Sequence, residues 1–359
     1  MLKSETQNRL AYLDWLRGLA AITMLQGHVF HAFTRTDLRE GAPYVLSQFV
    51  GGLPPAIFLF LTGVTLAFRM DGGERRNEPL VARFLAALRR AGYLLVVAYL
   101  FRIQLWAFGL PYSAWTDILK VDILNCMALT IAVMAPMAVF RTADRARLCA
   151  VLGLAIAFLA PVISQLDWTT TAPFVKSHVA PDYLFFSFFP WASFLAFGLS
   201  AGSILRMIAD DQMDRLMQWA ALGGGALIVG GRYFAEIPYS LYNHSEFWLN
   251  SPAQVLIKLG VLLWLMTFAF LWTRYVAAPG WSWVRQLGTT SLLVYWVHIE
   301  LVYGRWLGAW KESLSVAQTT MASVGIIVLM VALAAAKTHW RDWTLRTEPA
   351  PSPVLNPES

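Results

Sequence analysis

The 359-residue chain has few charged residues, few cysteines and no polar segment long enough to fold as a separate domain. Charged side chains make up 14% of the chain and hydrophobic ones 57%, whereas a typical soluble domain is about one quarter charged. The two cysteines, Cys126 and Cys149, lie within apolar segments, which excludes a disulfide framework and a metal-ligand spacing. The composition therefore indicates a polytopic membrane protein, and we expect no metal cofactor.

The chain also lacks an internal repeat and a basic domain. Its net charge of +6 is distributed over alternate loops, which argues against a nucleic-acid partner. No small-x-small cleavage site follows the first apolar segment, and Asp14 and Arg17 interrupt that segment. We therefore expect it to be retained as a helix.

Ten apolar runs are candidates for transmembrane helices, each of which needs about 20 mostly apolar residues. The predicted spans are 11–33, 46–68, 85–108, 118–139, 148–165, 184–205, 216–234, 253–273, 287–304 and 316–336. Lysine and arginine favour alternate loops, so the positive-inside rule predicts both termini in the cytoplasm. We predict an all-α integral membrane protein of the bacterial inner membrane, surrounded by lipid, with one domain over 1–346 and a proline-rich, disordered tail over 347–359.

The first predicted span carries a polar stripe. Arg17 and His28 are 11 residues apart, about three helical turns, so they share a face and lie about 16 Å apart along the axis. Asp14 can pair with Arg17 at i,i+3, while Gly18 and Gly27 permit close approach of a neighbouring helix or ligand. Ionisable groups at this depth usually face a cavity or a partner. The alternative is that Asp14 and Arg17 reach the inner interface while His28 bonds to a carbonyl of a neighbouring helix.

A second group of arginines stands at the start of the third span, in RFLAALRRAGYLL. The planar guanidinium suits phosphate, so Arg17, Arg89 and Arg90 could hold the charged end of a long thioester such as a coenzyme A ester. Its arm would then end near His28, acting either as a general base or as an acylated nucleophile. Positive-inside topology accounts for the arginines equally well.

Further polar residues indicate an acceptor side. Asp122 and Asn125 share a helix face near the depth of His28 and could orient an acceptor or the imidazole; Asp122 could equally complement a helix dipole. In SLLVYWVHIELVYG, Tyr295 and His298 fall on one stripe at mid-membrane depth. Glu300 projects from another face and either reaches the outer interface or pairs with a neighbouring arginine.

Two sets of motifs resemble known membrane acyltransferases. RLAYLDWLRGLAAITMLQGHVFHAF resembles the first helix of the acyltransferase-3 superfamily, where R-x-x-x-LD-x-LR-G/A leads into an Arg-x10-His spacing. FLFLTGVTLAFR, ILKVDILNCMALT, FFPWASFLAFGLSAG and LGTTSLLVYWVHIELVYG resemble bacterial relatives of heparan-alpha-glucosaminide N-acetyltransferase. The superfamily often has Arg-x-x-Arg in the third helix, whereas the arginines here are adjacent, so either can be the phosphate ligand.

The resemblance implies transfer of an acetyl group from cytoplasmic acetyl-CoA, across the bilayer, to a hydroxyl or amine of a saccharide. His28 is then the catalytic residue, supported by the carboxylates Asp14 and Asp122, and Arg17, Arg89 and Arg90 serve coenzyme A. Asn125, Tyr295, His298 and Glu300 are the residues expected to bind the acceptor. The protein could act as a monomer or as a homodimer.

Two rival functions remain at the level of the sequence. A secondary transporter would also contain intramembrane charges, but the paired repeats with interrupted helices that many carriers show are not evident here. A membrane subunit could instead bind haem or quinone through His28 and His298, although no haem-attachment motif is present.

Overall fold

A computed structural model describes residues 11–237, 241–278 and 280–347, with side chains described as far as residue 339. These residues are all-helical, as predicted, with one isolated β-bridge between Thr34 and Leu314. The predicted tail beyond Thr347 lies outside them. The α-helices are α1 (Ala11–Phe33), α2 (Ala42–Gly51), α3 (Pro54–Arg75), α4 (Leu80–Gly109), α5 (Ile123–Met134), α6 (Thr142–Ser164), α7 (Pro173–Val179), α8 (Phe188–Met207), α9 (Met213–Glu236), α10 (Pro252–Leu271), α11 (Trp283–Thr289), α12 (Ser291–Tyr303) and α13 (Val316–Thr347).

Six helical segments in the described part of the chain are long and apolar enough to cross a membrane: Ala42–Arg75, Leu80–Gly109, Thr142–Ser164, Phe188–Met207, Pro252–Val276 and Val316–His339. Helices occupy the other predicted spans as well, but the apolar segments Ile123–Val139 and Ser291–Tyr303 are short. Two further long helices, α1 and α9, are not among the six. Their mean hydropathy is lowered by Arg17, His28 and His31 in α1 and by several glycines in α9. The ten crossings and the cytoplasmic side of both termini therefore stay predictions.

The first helix lies between two hydrophobic cores. Leu16, on one side of α1, belongs to the larger core, to which α3 to α6 and α8 to α10 contribute. Leu25, on another side, belongs to a smaller core formed with α11, α12 and α13. Both leucines are fully buried. Protein therefore surrounds the helix that carries the predicted polar stripe, and that helix is shielded from lipid.

Other helices present apolar side chains to the outside of the molecule. Val96 of α4, Val151 of α6, Val229 of α9 and Val328 of α13 are 59%, 64%, 70% and 62% exposed. Large apolar surfaces are unfavourable in water and favourable in the hydrocarbon of a bilayer. Together with the six apolar helical segments, they define an integral membrane protein.

Two glycines of α1 touch neighbouring backbone directly. A Cβ atom built on Gly18 would lie 1.8 Å from the carbonyl oxygen of Val284, just inside α11. A Cβ atom on Gly27 would lie 2.8 Å from Cα of Gly51, the last residue of α2. These are the close approaches that the sequence predicted for Gly18 and Gly27. Because each glycine adjoins a polar residue of the stripe, both contacts help to fix where the stripe points.

We predict that Gly18→Ala destabilises the protein by about 1–3 kcal/mol, because the new methyl group cannot fit against Val284 unless α11 moves. Thermal unfolding of the purified protein in detergent measures the effect as a lower Tm. Gly92→Ala in α4 is the matched control, since nothing lies within 4 Å of a Cβ atom there. Equal Tm values for the two variants would contradict the packing assigned to Gly18.

Candidate active site

A cavity of about 870 Å³ runs beside α1. Arg17, Met24 and His28 line it from that helix, at positions i, i+7 and i+11, which lie on one helical face. Arg17 and His28 of the predicted stripe therefore face a cavity that is partly open to the surface. The structure places Arg17 and His28 on the same cavity wall.

The cavity has two chemically different ends. We call one the arginine end, which is lined by Arg17, Arg69, Arg90 and Lys337. The other is the histidine end, which is lined by His28, Asp122, Tyr295 and Tyr303. Along α3 the lining runs from Pro55 to Arg69, and 14 helical residues span about 21 Å. The cavity is thus long enough to separate a site for a charged group from a reacting centre.

Two histidines from distant parts of the chain meet at the histidine end. Nδ1 of His28 lies 2.9 Å from Nε2 of His298 in α12. Nδ1 of His298 lies 2.7 Å from the carbonyl oxygen of Val294, one turn earlier in the same helix. His298 is completely buried, and Tyr295 and Tyr303 pack edge-on against the two rings. His298 thus contacts His28 rather than lining the cavity itself.

These hydrogen bonds select one pair of tautomers for two neutral rings. A carbonyl oxygen only accepts, so Nδ1 of His298 must donate to Val294 and its Nε2 must accept. Nδ1 of His28 is then the donor to His298, which leaves the lone pair of His28 on Nε2. Within the described residues Nε2 has no hydrogen-bond partner, while His28 lines the cavity. An unshared lone pair in this position can accept a proton or attack an acyl carbon.

The same contact does not fit the rival interpretation of this pair as joint ligands of a haem iron. An iron atom held by His28 and His298 would need one nitrogen from each ring to point at the metal. Here the facing nitrogens are in direct hydrogen-bond contact, so no iron fits between them.

Asp122 and Arg102 form an ion pair on the cavity wall at the histidine end. Oδ1 of Asp122 accepts hydrogen bonds from the backbone N–H groups of Leu124 and Asn125, and it caps α5. Oδ2 lies 3.3 Å from Nε of Arg102. Neither of these two atoms has a hydrogen bond within the described residues. Asp122 therefore caps a helix, as the alternative reading of the sequence proposed, and forms part of the cavity wall together with Arg102.

Two other predicted acceptor residues do not line the cavity. Oδ1 of Asn125 accepts from the backbone N–H of Asp122 and completes the capping box. Glu300 is buried, and its Oε1 accepts from the indole N–H of Trp306. Glu300 thus bonds to a tryptophan, whereas the sequence suggested the outer interface or an arginine. Both residues support the walls around the site.

At the arginine end the structure separates the two adjacent arginines of α4. Both side chains are exposed, but Arg90 lines the cavity and Arg89 does not. Neighbouring residues of a helix point about 100° apart, so only one of the pair can face the cavity. Arg17 lines it too and pairs with Asp14 across 2.6 Å, as the i,i+3 spacing predicted. Asp14 itself is not part of the lining.

Sequence reasoning missed the wall contributed by α3. Beside Pro54, its lining residues are Pro55, Phe58, Thr62, Thr65 and Arg69. Their spacing of three or four residues marks one face of a helix. Within FLFLTGVTLAFR this spacing joins two threonines to a terminal arginine, and that signal could have identified the wall.

The helices and the cavity together define a membrane protein in which one cavity extends from the arginine end to the paired histidines His28 and His298. The family described as "Heparan-alpha-glucosaminide N-acetyltransferase, catalytic" matches residues 9–237. This segment is more than half of the chain, which therefore belongs to that family. It contains His28, Arg90 and Asp122, whereas His298 lies outside it. No curated protein matches the chain.

We predict that Arg102→Met lowers the free energy of unfolding by about 3–5 kcal/mol, because it leaves the buried carboxylate of Asp122 without its cation. The double variant Arg102→Met/Asp122→Asn should recover most of this loss, since asparagine is neutral and still caps a helix. Chemical unfolding in detergent compares both with the wild type. A double variant as unstable as Arg102→Met would contradict the ion-pair interpretation.

Proposed function

We propose that the chain transfers an acetyl group from acetyl-CoA to an amine or hydroxyl of a saccharide. The observation that carries this proposal is the continuous cavity between the arginine end and His28. Membership of the N-acetyltransferase family supports it and favours an enzyme over the transporter considered from the sequence. The arginine end, with Arg17, Arg69, Arg90 and Lys337, faces the cytoplasm in this proposal because Lys and Arg favour that side.

The donor and the acceptor enter from opposite ends. The phosphates of acetyl-CoA bind guanidinium groups at the arginine end, and the pantetheine arm follows the wall of α3 towards His28. The saccharide reaches the histidine end from outside. The ion pair of Asp122 and Arg102 lies on the wall of the cavity at this end. In a bacterial cell this arrangement corresponds to the inner membrane.

The lone pair on Nε2 of His28 serves two routes. In direct transfer, Nε2 takes a proton from the acceptor as its nitrogen or oxygen bonds to the acyl carbon; the carbon–sulfur bond breaks, and the thiolate leaves as the thiol after taking that proton. In the two-step route, Nε2 displaces the thiolate and becomes an acetyl-imidazolium that keeps its Nδ1 proton. The acceptor then attacks the acyl carbon, the carbon–nitrogen bond breaks to restore the neutral imidazole, and the acceptor's proton goes to the thiolate, which leaves as the thiol. Both routes yield the acetylated saccharide and free coenzyme A.

His298 acts in this proposal as a positioning residue. Its Nε2 accepts a hydrogen bond from Nδ1–H of His28. This bond keeps the lone pair of His28 on Nε2, the nitrogen that is left to face the cavity. The carbonyl oxygen of Val294 holds His298 in the complementary tautomer. These two hydrogen bonds orient His28 without a carboxylate, because the last acceptor is the backbone carbonyl of Val294.

We expect His28→Ala to reduce acetyl transfer by about 10²-fold to 10⁴-fold, because it removes the only base or nucleophile of the proposed reaction. The assay follows radiolabelled acetyl from acetyl-CoA to a panel of amino sugars and neutral sugars, using purified protein in liposomes. His178→Ala, in α7 and away from the cavity, is the control and should keep wild-type activity. Transfer at the wild-type rate by a folded His28→Ala protein would remove His28 from the mechanism.

We predict that His298→Leu lowers kcat by about 100-fold with little change in KM for acetyl-CoA, because the His28 tautomer is no longer held. His298→Gln should restore much of kcat, because the amide oxygen of the glutamine can accept a hydrogen bond from Nδ1–H of His28. Steady-state kinetics and Tm values of both variants test the assignment. A glutamine variant as impaired as the leucine variant, at equal Tm, would argue against it.

A further inference from the structure

Acyl transfer at His28 would place a negative charge on the carbonyl oxygen of the thioester. When Nε2 of His28 or the acceptor attacks the acyl carbon, the carbonyl electrons move to that oxygen and stay there until the bond to the leaving group breaks. A hydrogen-bond donor held at this position stabilises the charge and is worth a large part of the rate. The cations of the arginine end are too distant, because Arg17 lies about 16 Å from His28 along α1.

Most threonine hydroxyls on the cavity wall already donate to the protein itself. Thr62 and Thr65 each donate to a backbone carbonyl oxygen of α3, over 2.7 Å and 2.9 Å. Thr289 and Thr290 both donate to the carbonyl oxygen of Gln286. Because a hydroxyl group has one hydrogen, these four side chains have none left for a ligand.

Three other donors on the cavity wall are engaged or distant. Arg102 neutralises the buried carboxylate with which it forms the ion pair, so its charge is not free to follow an oxyanion. The hydroxyl oxygen of Tyr303 lies 3.2 Å from Nδ1 of His31 and shares a hydrogen bond with it. Ser291 is the first residue of α12 and lies about 10 Å along the helix axis from His298.

Tyr295 carries a hydroxyl group that is both accessible and unpartnered. Its side chain lines the cavity, and the hydroxyl has no hydrogen-bond partner within the described residues. The polar atoms that are fully buried without a partner, such as Nε1 of Trp106, do not include this oxygen. The oxygen is therefore accessible, and its hydrogen is left for a group in the cavity.

Neighbouring rings hold Tyr295 beside the histidine pair. Its ring packs edge-on against that of His298, with centroids 5.9 Å apart, and against Phe101 of α4, with centroids 5.3 Å apart. His298 in turn is hydrogen-bonded to His28. A donor that is fixed before the reaction needs no reorganisation when the charge develops.

We propose that the hydroxyl of Tyr295 donates a hydrogen bond to the carbonyl oxygen of the thioester and stabilises the oxyanion of each acyl-transfer step. This inference rests on the proposed function and deepens it, because it gives Tyr295 a catalytic role where the sequence suggested acceptor binding. The phenolic proton stays on Tyr295. The negative charge forms on the carbonyl oxygen and disappears when the carbonyl double bond is restored and the leaving group departs.

The first test is the kinetics of Tyr295→Phe, which removes one oxygen atom and keeps the ring between Phe101 and His298. We expect kcat to fall about 10²-fold at an unchanged Tm. The KM values for acetyl-CoA and for the saccharide should change by less than about 5-fold. Tyr233→Phe on α9, where the side chain is 72% exposed and outside the cavity, is the control and should match the wild type.

The split between kcat and KM separates this role from acceptor binding. A higher KM for the saccharide with an unchanged kcat would overturn the proposal in favour of acceptor binding. Wild-type values of both constants in Tyr295→Phe would overturn it as well, because the oxyanion would then have another donor.

The carbonyl stretch of the bound thioester gives a readout that a purely structural role would not change. Infrared difference spectra are recorded in nanodiscs with acetyl-CoA that is isotope-labelled at the carbonyl carbon. A hydrogen bond from Tyr295 weakens the carbonyl bond, so the band should lie at a higher frequency in Tyr295→Phe than in the wild type and in Tyr233→Phe. The same frequency in all three proteins would overturn the proposal.

This measurement needs no saccharide, so failure of the proposed function is recognised separately. A wild type that shows the expected frequency difference from Tyr295→Phe, but transfers acetyl to no sugar, would support the role of Tyr295 and contradict only the proposed acceptor. Absence of acetyl-CoA binding to the wild type would overturn both proposals.

Discussion

Polar side chains within a membrane protein have to be satisfied by the protein itself, because the surrounding hydrocarbon offers no hydrogen bonds. The first helix meets this constraint by lying between two hydrophobic cores, so that no large part of it faces lipid. Its ionisable residues can then point into a cavity. The position of Arg17, the orientation of His28 and the approach of α11 at Gly18 all follow from this enclosure.

The histidine pair shows how the proposed reacting group, His28, is oriented without a carboxylate partner. A buried carboxylate would need its own compensation in a low-dielectric interior, whereas the carbonyl of Val294 is neutral and is already present one turn before His298. The helix that supplies the orienting residue thus also supplies the acceptor that fixes its tautomer. The charged pair Asp122–Arg102 stays on the cavity wall as a separate unit.

The sequence was most informative where one helix carries the whole signal. The shared face of Arg17 and His28 follows from helical periodicity alone, as does the pairing of Asp14 with Arg17. The contact between His28 and His298 joins residues 270 positions apart, and it depends on how α1 and α12 pack, which periodicity does not encode. The same limit applies at the arginines of α4. Periodicity shows that adjacent residues diverge, but only the neighbouring helices decide that Arg90 faces the cavity.

The C-terminal helices determine how far the cavity is closed towards the lipid. Helices α11 to α13 cover one flank of α1 and contribute part of the cavity wall, although they follow the segment that matches the family. A chain ending after α10 would leave that flank open to the bilayer, and in the proposed function the bound thioester could then diffuse out among the lipid tails. In that function these three helices would close the site on the side that faces the lipid.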